Sequence, residues 1–273
     1  MIDDNAEQVF QSEVWDYYHA HGREELPWRI AGKDGAFDAY RIAVSELMLQ
    51  QTQVSRVIPK YQQFIMVFPN VQDLAQAPLG DVLRVWSGLG YNRRAKFLWQ
   101  AAQQVVSEYG GVFPEQLEEL MKLPGIGHNT AAAILVYAHN QPVVFVETNI
   151  RTVFIHHFFQ DQTAVADKAI LELVAETLDK EHPREWYWAL MDYGTYLKQL
   201  VGNLNRLSKT YAKQSAFRGS KRQIRGQVLR LLGDKPYTGA ELQKQIADTR
   251  LNVVLEDLVD EQLVQLRGKT YHL

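Results

Sequence analysis

The chain has 273 residues, of which 46% are hydrophobic and 22% charged, and its formal net charge at pH 7 is −3. These values are typical of a globular protein with one large domain or two unequal ones. A membrane protein is disfavoured, because no apolar run approaches the roughly 20 residues that cross a bilayer. The absence of cysteine excludes disulfides, thiolate zinc sites and cysteine-ligated iron–sulfur clusters.

The first part of the chain is predicted to be a series of helices joined by polar loops. Apolar residues recur with helical spacing in each segment, and proline or glycine marks several ends. Amides and hydroxyls at 50–53 and small residues at 88–90 interrupt the apolar pattern. The predicted helices cover residues 5–21, 38–49, 54–68, 71–77 and 79–86, followed by a long helix that ends near residue 109.

Residues 123–151 form the stretch around which we expect the chain to be organised. Pro124 ends the preceding helix, and Gly125 and Gly127 predict a turn too tight for side chains. The helix that follows, to about residue 138, offers free N–H groups and a positive dipole end to a phosphate. Glu147 emerges after four apolar residues. The pattern favours chemistry on nucleic acid, although an ordinary helix–helix turn shows the same glycines.

The remaining helices are predicted at 149–159, 165–181, 183–192 and 196–212, and strand signals are almost absent before residue 220. The last residues differ: helices at 220–232, 239–247 and 249–262 precede two short strands around Arg267–Lys269. Three helices and a hairpin are typical of a winged helix, which binds DNA or protein. We therefore predict an all-α domain at 1–219 and a small winged helix domain at 220–273.

Positive charge is concentrated between Tyr193 and Gly233, where there are nine basic residues and no acidic one. Because local patches set the field that a polyanion meets, this stretch favours a nucleic-acid partner despite the net negative charge. A solvated linker is the alternative. The nine residues are Lys198, Arg206, Lys209, Lys213, Arg218, Lys221, Arg222, Arg225 and Arg230.

Four motifs resemble those of the helix-hairpin-helix base-excision DNA glycosylases, and most closely the A/G-specific adenine glycosylases. The run Ser-Glu-Leu-Met-Leu-Gln-Gln-Thr-Gln-Val is highly specific to the adenine branch, whereas the hairpin marks only the superfamily. The resemblance covers about residues 8–195 and implies a bilobal helical fold in which a base is flipped out of the duplex. The motifs lie at Leu26–Arg29, Ser45–Val54, Trp86–Tyr91 and Leu123–Gly127.

The resemblance implies two catalytic carboxyls. Glu46 matches the acid that protonates the purine ring, and on an apolar helix face its pKa would be raised. Glu147 matches the carboxylate that stabilises the sugar cation, but the family normally has aspartate there. A shift of about 1 Å can cost about 100-fold in rate. The substitution leaves three interpretations open: an adapted pocket with the same chemistry, a changed substrate, or binding without cleavage.

Other candidate residues come from the same resemblance. Asn129 stands where bifunctional relatives carry a lysine that attacks C1′, so a monofunctional enzyme without lyase activity is expected. Gln51 and Tyr91 match residues that wedge into the duplex, and Asn149 matches one that bonds near the catalytic carboxylate. The expected DNA-binding set is Gln51, Tyr91, Arg29, Gly125, Gly127, Asn149, Lys198, Arg206, Lys209 and Lys213.

Two departures from the family concern cofactor and target. Most relatives hold a four-cysteine cluster after the segment ending near Gly194, so residues 195–219 must fold without one. The family's domain that reads 8-oxoguanine also has no match here. No metal site is predicted, since His156 and His157 point about 100° apart on a helix. Backbone carbonyls of the hairpin loop are the expected place for a monovalent cation, as in the family.

We expect a monofunctional DNA glycosylase that removes a mispaired or damaged base, with adenine as the leading target. The alternatives are a thymine or uracil mismatch glycosylase, a non-catalytic protein that binds DNA structures, and, on residues 220–273 alone, a transcription regulator. The expected partner is double-stranded DNA carrying a mispair or lesion, bound by a monomer. The N-terminus lacks the basic and apolar regions of a signal peptide, so we expect a cytoplasmic, nucleoid-associated protein.

Overall fold

A computed structural model describes residues 3–214 and 216–273, and the chain is mostly helical. Short polar side chains fix several helix starts. The Asp3 carboxylate accepts from the Ala6 N–H and the Asn70 side chain from the Asp73 N–H, while Thr238 and Glu241 form a capping box. The first seven α-helices are α1 Asp4–His21, α2 Ala39–Leu49, α3 Val54–Val67, α4 Val71–Gln76, α5 Leu79–Trp86, α6 Arg93–Glu108 and α7 Leu117–Leu120.

The second half continues with helices and ends in a small sheet. Two 3₁₀ turns, Pro27–Arg29 and Leu204–Leu207, lie among the α-helices. The later helices are α8 His128–His139, α9 Thr148–Phe158, α10 Asp167–Thr177, α11 Pro183–Val201, α12 Lys221–Asp234, α13 Gly239–Ile246 and α14 Leu251–Asp260. The antiparallel sheet has the order β1-β3-β2, with strands β1 Tyr237–Thr238, β2 Gln265–Arg267 and β3 Thr270–His272.

The chain divides into two compact units, and the division falls within α2. The first unit comprises Met1–Ile42, Glu115–Met121 and Ile126–Lys213. The second comprises Ala43–Pro114, Lys122–Gly125 and Gln214–Leu273. The C-terminal helices and sheet thus cluster with α3–α6. The domain boundary expected at 219/220 stays a prediction.

The core of the first unit is built on α9 and α11, which pack along each other and against α1. Phe10 of α1 meets Phe154 of α9 with ring centroids 5.3 Å apart and Trp186 of α11 at 6.1 Å. Trp186 and Phe154 are completely buried. Full burial of one such side chain stabilises the fold by about 1.5–3 kcal/mol, so this aromatic cluster dominates the packing of the unit.

The second unit has its own core between α3, α5 and α6. Phe64 and Trp86 are fully buried, with ring centroids 6.0 Å apart. The C-terminal elements join this core through specific polar contacts. Arg84 Nε of α5 donates to the Gly233 carbonyl at 2.9 Å, and Lys96 Nζ of α6 donates to the Glu261 carbonyl at 2.7 Å. Helix α12 and the turn after α14 therefore contact α5 and α6.

Most predicted helices lie within a few residues of the observed ones, but the expectation of separate helices at 183–192 and 196–212 was wrong. One helix, α11, runs through Gly194 to Val201. A Cβ on Gly194 would lie 2.3 Å from the Asn149 carbonyl oxygen, so this glycine permits the close approach of α9 and α11. Gly202, with φ of 82°, follows the end of the helix. Within the described residues, no helix is both long and apolar enough to cross a membrane.

Candidate active site

The hairpin turn places its two glycines in different situations. Gly125 has φ of +76°, and a Cβ there would lie 2.6 Å from Cβ of Phe97, so this position requires glycine. Gly127 is extended and has no heavy atom within 4 Å of the place where a Cβ would stand. The expectation of a turn too tight for side chains was right at Gly125 and wrong at Gly127. Gly127 caps the exposed N-terminus of α8 and leaves open space there.

Glu147 is the N-cap residue of α9 and is anchored by the hairpin helix. The preceding residues, Phe145 and Val146, are buried, and the Asn129 amide donates to the Val146 carbonyl at 2.7 Å. The first turn of α8 thus holds the peptide directly before Glu147. Burial raises the pKa of the Glu147 carboxyl, and the positive charge of Arg151 opposes that rise.

The first turn of α9 is held by a network that the sequence did not indicate. Buried Asn205, in the second 3₁₀ turn, donates to the Thr148 carbonyl at 3.2 Å and to Thr152 Oγ1 at 2.8 Å. Arg151 forms an ion pair with Asp167, with Nε 2.8 Å from Oδ1. Asn149 lies in the same turn. The 3₁₀ turn Leu204–Leu207 is therefore tied to α9 by an asparagine.

Glu46 lies on α2 in the second unit, whereas Glu147 belongs to the first. The Glu46 side chain is partly exposed, and its neighbours Ser45, Leu47 and Met48 are buried. The sequence motif therefore places one carboxyl at the edge of a packed helix face. The catalytic role of Glu46 stays a prediction.

The predicted wedge residues Gln51 and Tyr91 both adopt left-handed backbone conformations. Their φ values are +55° and +48°, which non-glycine residues rarely take. Such conformations cost on the order of 1–3 kcal/mol and persist where the surroundings enforce them, often at functional sites. Both side chains are exposed. The structure thus presents the two residues on strained loops of the same unit.

Arg94 bonds to the residues that precede both Gln51 and Tyr91, and the sequence did not identify it as a site residue. Its buried guanidinium donates to the carbonyls of Leu47 and Gln50, both at 2.6 Å, and to the Gly90 carbonyl at 3.1 Å. Burial lowers the pKa of Arg94 to about 10, which still leaves it charged at neutral pH. One cation therefore connects the C-terminus of α2 to the loop that carries Tyr91.

The C-terminal segment touches both wedge residues. The Gln214 amide donates to Gln51 Oε1 at 2.7 Å and also contacts the Tyr91 hydroxyl. Arg222 donates to the Tyr91 hydroxyl at 2.8 Å, and its guanidinium lies 5.8 Å from the centre of the ring. The segment around 214–222 is thus in direct contact with two candidate DNA-binding side chains.

Arg29 has a different environment from the one expected. It is buried in a network with Asp192, in which Nη1 and Nη2 lie 2.8 and 2.9 Å from the two carboxylate oxygens, and Arg23 joins the same carboxylate. These arginines lower the pKa of Asp192 against the desolvation that opposes them. Because its guanidinium is committed to Asp192, we leave Arg29 out of the proposed DNA-binding set.

The four lysine and arginine candidates at 198–213 are all exposed. Lys198 lies on the last turns of α11, and Arg206 lies in the 3₁₀ turn. Lys209 follows a short parallel bridge, in which its N–H donates to the Val165 carbonyl at 2.9 Å. Exposed cations on an ordered backbone suit phosphate contacts. Over the part of the chain that the structure describes, no group of three or more metal-binding side chains occurs.

Comparisons with known proteins identify a family model and several proteins that this chain resembles. A family model described as "HhH-GPD superfamily base excision DNA repair protein" matches residues 44–177. An adenine DNA glycosylase of Buchnera aphidicola subsp. Baizongia pistaciae is 37% identical over 193 residues, covering 69% of this chain and 53% of that protein. One of Mycolicibacterium smegmatis is 34% identical over 249 residues, covering 82% of each. The chain spans about half the length of the Buchnera relative.

Solved structures share the fold. The structure of a thermostable thymine-DNA glycosylase superposes with a TM-score of 0.60 at 24% identity, covering 70% of this chain and 87% of that one. A trapped endonuclease III–DNA covalent intermediate gives a TM-score of 0.59 at 18% identity, covering 72% and 88%. The predicted all-α helix-hairpin-helix glycosylase fold is confirmed, while the winged helix assignment of residues 220–273 stays a prediction.

Proposed function

We propose that this chain, which belongs to the HhH-GPD superfamily of base excision DNA repair proteins, is a DNA glycosylase that hydrolyses the N-glycosidic bond of a mispaired or damaged base. Adenine is the leading target, because the curated relatives described above are adenine DNA glycosylases. The bond is inaccessible inside the stack, so the target nucleotide must be extruded from the duplex.

The observation that carries the proposal is the anchoring of Glu147 beside the N-terminus of α8. A carboxyl emerges from a buried segment, and the Asn129 amide fixes the preceding carbonyl at 2.7 Å. Gly127 leaves the end of the same helix open, where N–H groups suit a phosphate. An acid and a phosphate anchor in one unit are what cleavage of a nucleotide's sugar–base bond requires.

The chemistry divides between the two glutamates. Glu46 acts as the general acid that protonates the base and makes it a better leaving group. Glu147, in its ionised form, stabilises the cationic sugar and helps to orient water. Asn129 has no amine for attack on C1′, so the product is an abasic site without strand cleavage. The raised pKa of Glu147 means that its catalytic form is favoured as the pH increases.

Exposed and half-exposed groups supply the contacts with DNA. Gln51 and Tyr91 fill the gap that extrusion leaves, and Gly125, Gly127 and Asn149 belong to the turns that approach the target strand. Lys198, Arg206, Lys209 and Lys213 contact phosphates. Carbonyls of the hairpin loop hold a monovalent cation. The protein acts as a monomer on duplex DNA with a mispair or lesion, in the cytoplasm at the nucleoid.

Single-turnover cleavage of a labelled duplex panel tests the proposal. The panel holds adenine opposite guanine and 8-oxoguanine, thymine and uracil opposite guanine, and several damaged bases. We expect strand scission at one of them only after alkali, and its loss in Glu46→Gln with retained DNA binding. Scission without alkali would contradict the monofunctional assignment, and excision unchanged in Glu46→Gln would contradict the role of Glu46.

A second candidate function, binding DNA structures without cleavage, is favoured by one observation. Desolvation pushes Glu147 toward its neutral form, and a neutral carboxyl stabilises a sugar cation poorly. In that case the whole panel stays intact while mobility shifts on gels persist. The Glu147→Asp variant separates the two functions, because it restores the family residue: excision that appears only in the variant shows that the parent chain binds without cutting.

A further inference from the structure

A large basic groove lies within the second unit, between the loop carrying Tyr91 and helix α12. Its volume is about 1070 Å³, slightly above the roughly 300–1,000 Å³ of most ligand sites. It therefore has room for a segment of polymer as well as for a single small molecule. Gln51 and Tyr91 lie on one side, and Phe217, Arg222 and Arg230 on the other.

The charges that line this groove are almost all positive. Among its described lining residues Glu261 is the one acid, and it is paired with Arg225, whose Nη1 lies 3.1 Å from Oε1. Arg94 is buried under the loop. The arginines that face the groove with exposed or half-exposed side chains are Arg56, Arg93, Arg222 and Arg230. Such a set matches a chain of phosphates, because the carboxylate of Glu261 is already paired with Arg225.

Exposed aromatic rings lie among these arginines. Phe217 is 60% exposed and Tyr91 is 37% exposed, so both rings are accessible to a ligand. Unpaired bases stack on such rings whatever their sequence, while a closed duplex offers no free base face. Amide side chains from Gln214, Gln223 and Gln227 add donors and acceptors that suit base edges.

The C-terminal helices differ sharply in charge, which decides which of them faces DNA. Helix α14 contains Glu256, Asp257 and Asp260 and no basic residue, so it is a poor recognition helix for the major groove. Helix α12 contains four basic residues and one acidic residue. The face of α12 that lines the groove is therefore the part of the C-terminal region whose charge best suits a polyanion.

We propose that the groove between α12 and the Tyr91 loop binds an unpaired single-stranded segment of DNA, with phosphates on Arg56, Arg93, Arg222 and Arg230 and bases stacked on Phe217 and Tyr91. This inference rests on the proposed action on DNA and extends it. Gln214 and residues 217–230 form a second DNA-binding surface, which receives nucleotides separated from their partners next to Gln51 and Tyr91.

The test measures DNA binding separately from excision. A labelled single strand of about 12 nucleotides, within the usual site sizes for such grooves, is titrated onto the full chain carrying Glu46→Gln. Phe217→Ala combined with Arg230→Gln should weaken this binding at least about five-fold, since base stacking contributes roughly that much or more per base. Lys244→Gln is the matched control: it removes an exposed charge on α13, outside the groove.

Two further measurements keep the result unambiguous. Arg230→Gln alone should lower the log–log salt slope for the single strand by about 0.7. A strand carrying 5-iodouracil should photo-crosslink to a peptide within 214–230, and Phe217→Ala should abolish the crosslink. Thermal unfolding of each variant should match the parent, because both side chains are exposed.

The outcomes distinguish this inference from the proposed function. Unchanged single-strand affinity in the double variant, with excision intact in the parent chain, overturns the groove and leaves the glycosylase assignment standing. Groove-dependent binding in a parent chain that cuts nothing in the panel supports the groove and removes the glycosylase assignment. Equal decreases in affinity for single strand and perfect duplex overturn the stacking role of Phe217, since a paired base cannot reach the ring.

Discussion

In the proposed mechanism the Glu147 carboxyl must be ionised, and its burial makes ionisation costly to the stability of the fold. Desolvation raises its pKa above the usual value near 4.3, against the opposing effect of Arg151. The window lies between the usual pKa, which applies to the unfolded chain, and the raised pKa of the folded chain. Within it the folded chain binds more protons than the unfolded chain, so the free energy of unfolding falls as the pH rises. The ionised form that the proposed mechanism needs is therefore the form that the folded state tolerates less well.

Replacing Glu147 with glutamine should remove both the activity and this cost. We expect Glu147→Gln to abolish excision and to raise the unfolding temperature at pH values above the window, with the gain vanishing below about pH 4. Thermal unfolding across pH measures the difference. Glu172→Gln on α10 serves as the control, since its carboxyl is exposed to solvent. A gain of equal size at pH 4 and pH 8 would contradict the assignment to Glu147.

The two hairpin glycines allow structure and ligand approach to be separated. Gly125→Ala meets Phe97 at 2.6 Å and a positive φ, so it should destabilise the fold by about 1–3 kcal/mol. Gly127→Ala meets neither obstacle and should change stability by less than about 1 kcal/mol. It should nevertheless weaken DNA binding, because its Cβ stands at the open end of α8. Denaturant unfolding and DNA titration of both variants measure these effects. Equal destabilisation by the two substitutions would contradict the different surroundings of Gly125 and Gly127.

Several residues could be assigned from the sequence and several could not. Gly125 and the family motif at Ser45–Val54 were recognisable because local spacing and residue type carry the information, whereas the role of Glu46 stays a prediction. Arg94 and Arg29 could not be placed, because a buried arginine is identified by partners that lie far along the chain. Arg94 bonds to carbonyls more than forty residues away, and Arg29 pairs with Asp192. No local pattern distinguishes such arginines from those that contact phosphates.

At the scale of the elements, helix periodicity predicted most helices because each buries an apolar face. It failed at α11, where the sequence predicts a helix end before Gly194. Gly194 lies inside the helix because a side chain there would meet the Asn149 carbonyl of α9. Whether a glycine ends a helix or permits close packing depends on the neighbouring element, which the local sequence does not contain.

The first turn of α9 depends on Asn205, and its removal should affect catalysis as well as stability. Asn205→Ala leaves the buried Thr148 carbonyl and Thr152 hydroxyl short of a donor, which costs about 1–3 kcal/mol. Because Glu147 caps the same turn, we expect kcat for excision to fall while DNA affinity is retained. Asn252→Ala, on the exposed side of α14, is the control. Denaturant unfolding and single-turnover excision measure the two effects of Asn205→Ala. If the excision rate of this variant equals that of the parent chain, Asn205 does not position Glu147.

For the whole molecule, the separation of charge matters more than its sum. The net charge is −3, yet residues 193–233 contain nine basic side chains and no acidic one. The fold keeps Lys198, Arg206, Lys209 and Lys213 exposed. A polyanion responds to this local field, since distant carboxylates are screened beyond about 10 Å at moderate salt.

The binding of duplex DNA should therefore weaken steeply with salt, and the slope should report these side chains. Each neutralised phosphate contributes about 0.9 to the slope of log affinity against log salt. The double variant Lys209→Gln, Lys213→Gln should lower this slope by about 0.9 for each phosphate that it no longer neutralises. Lys33→Gln with Lys244→Gln removes the same charge from exposed sites outside the stretch and should leave the slope unchanged. Equal decreases in both double variants would mean that DNA senses only the total charge of the protein, and a flat response in the parent chain would remove residues 193–233 from the DNA-binding surface.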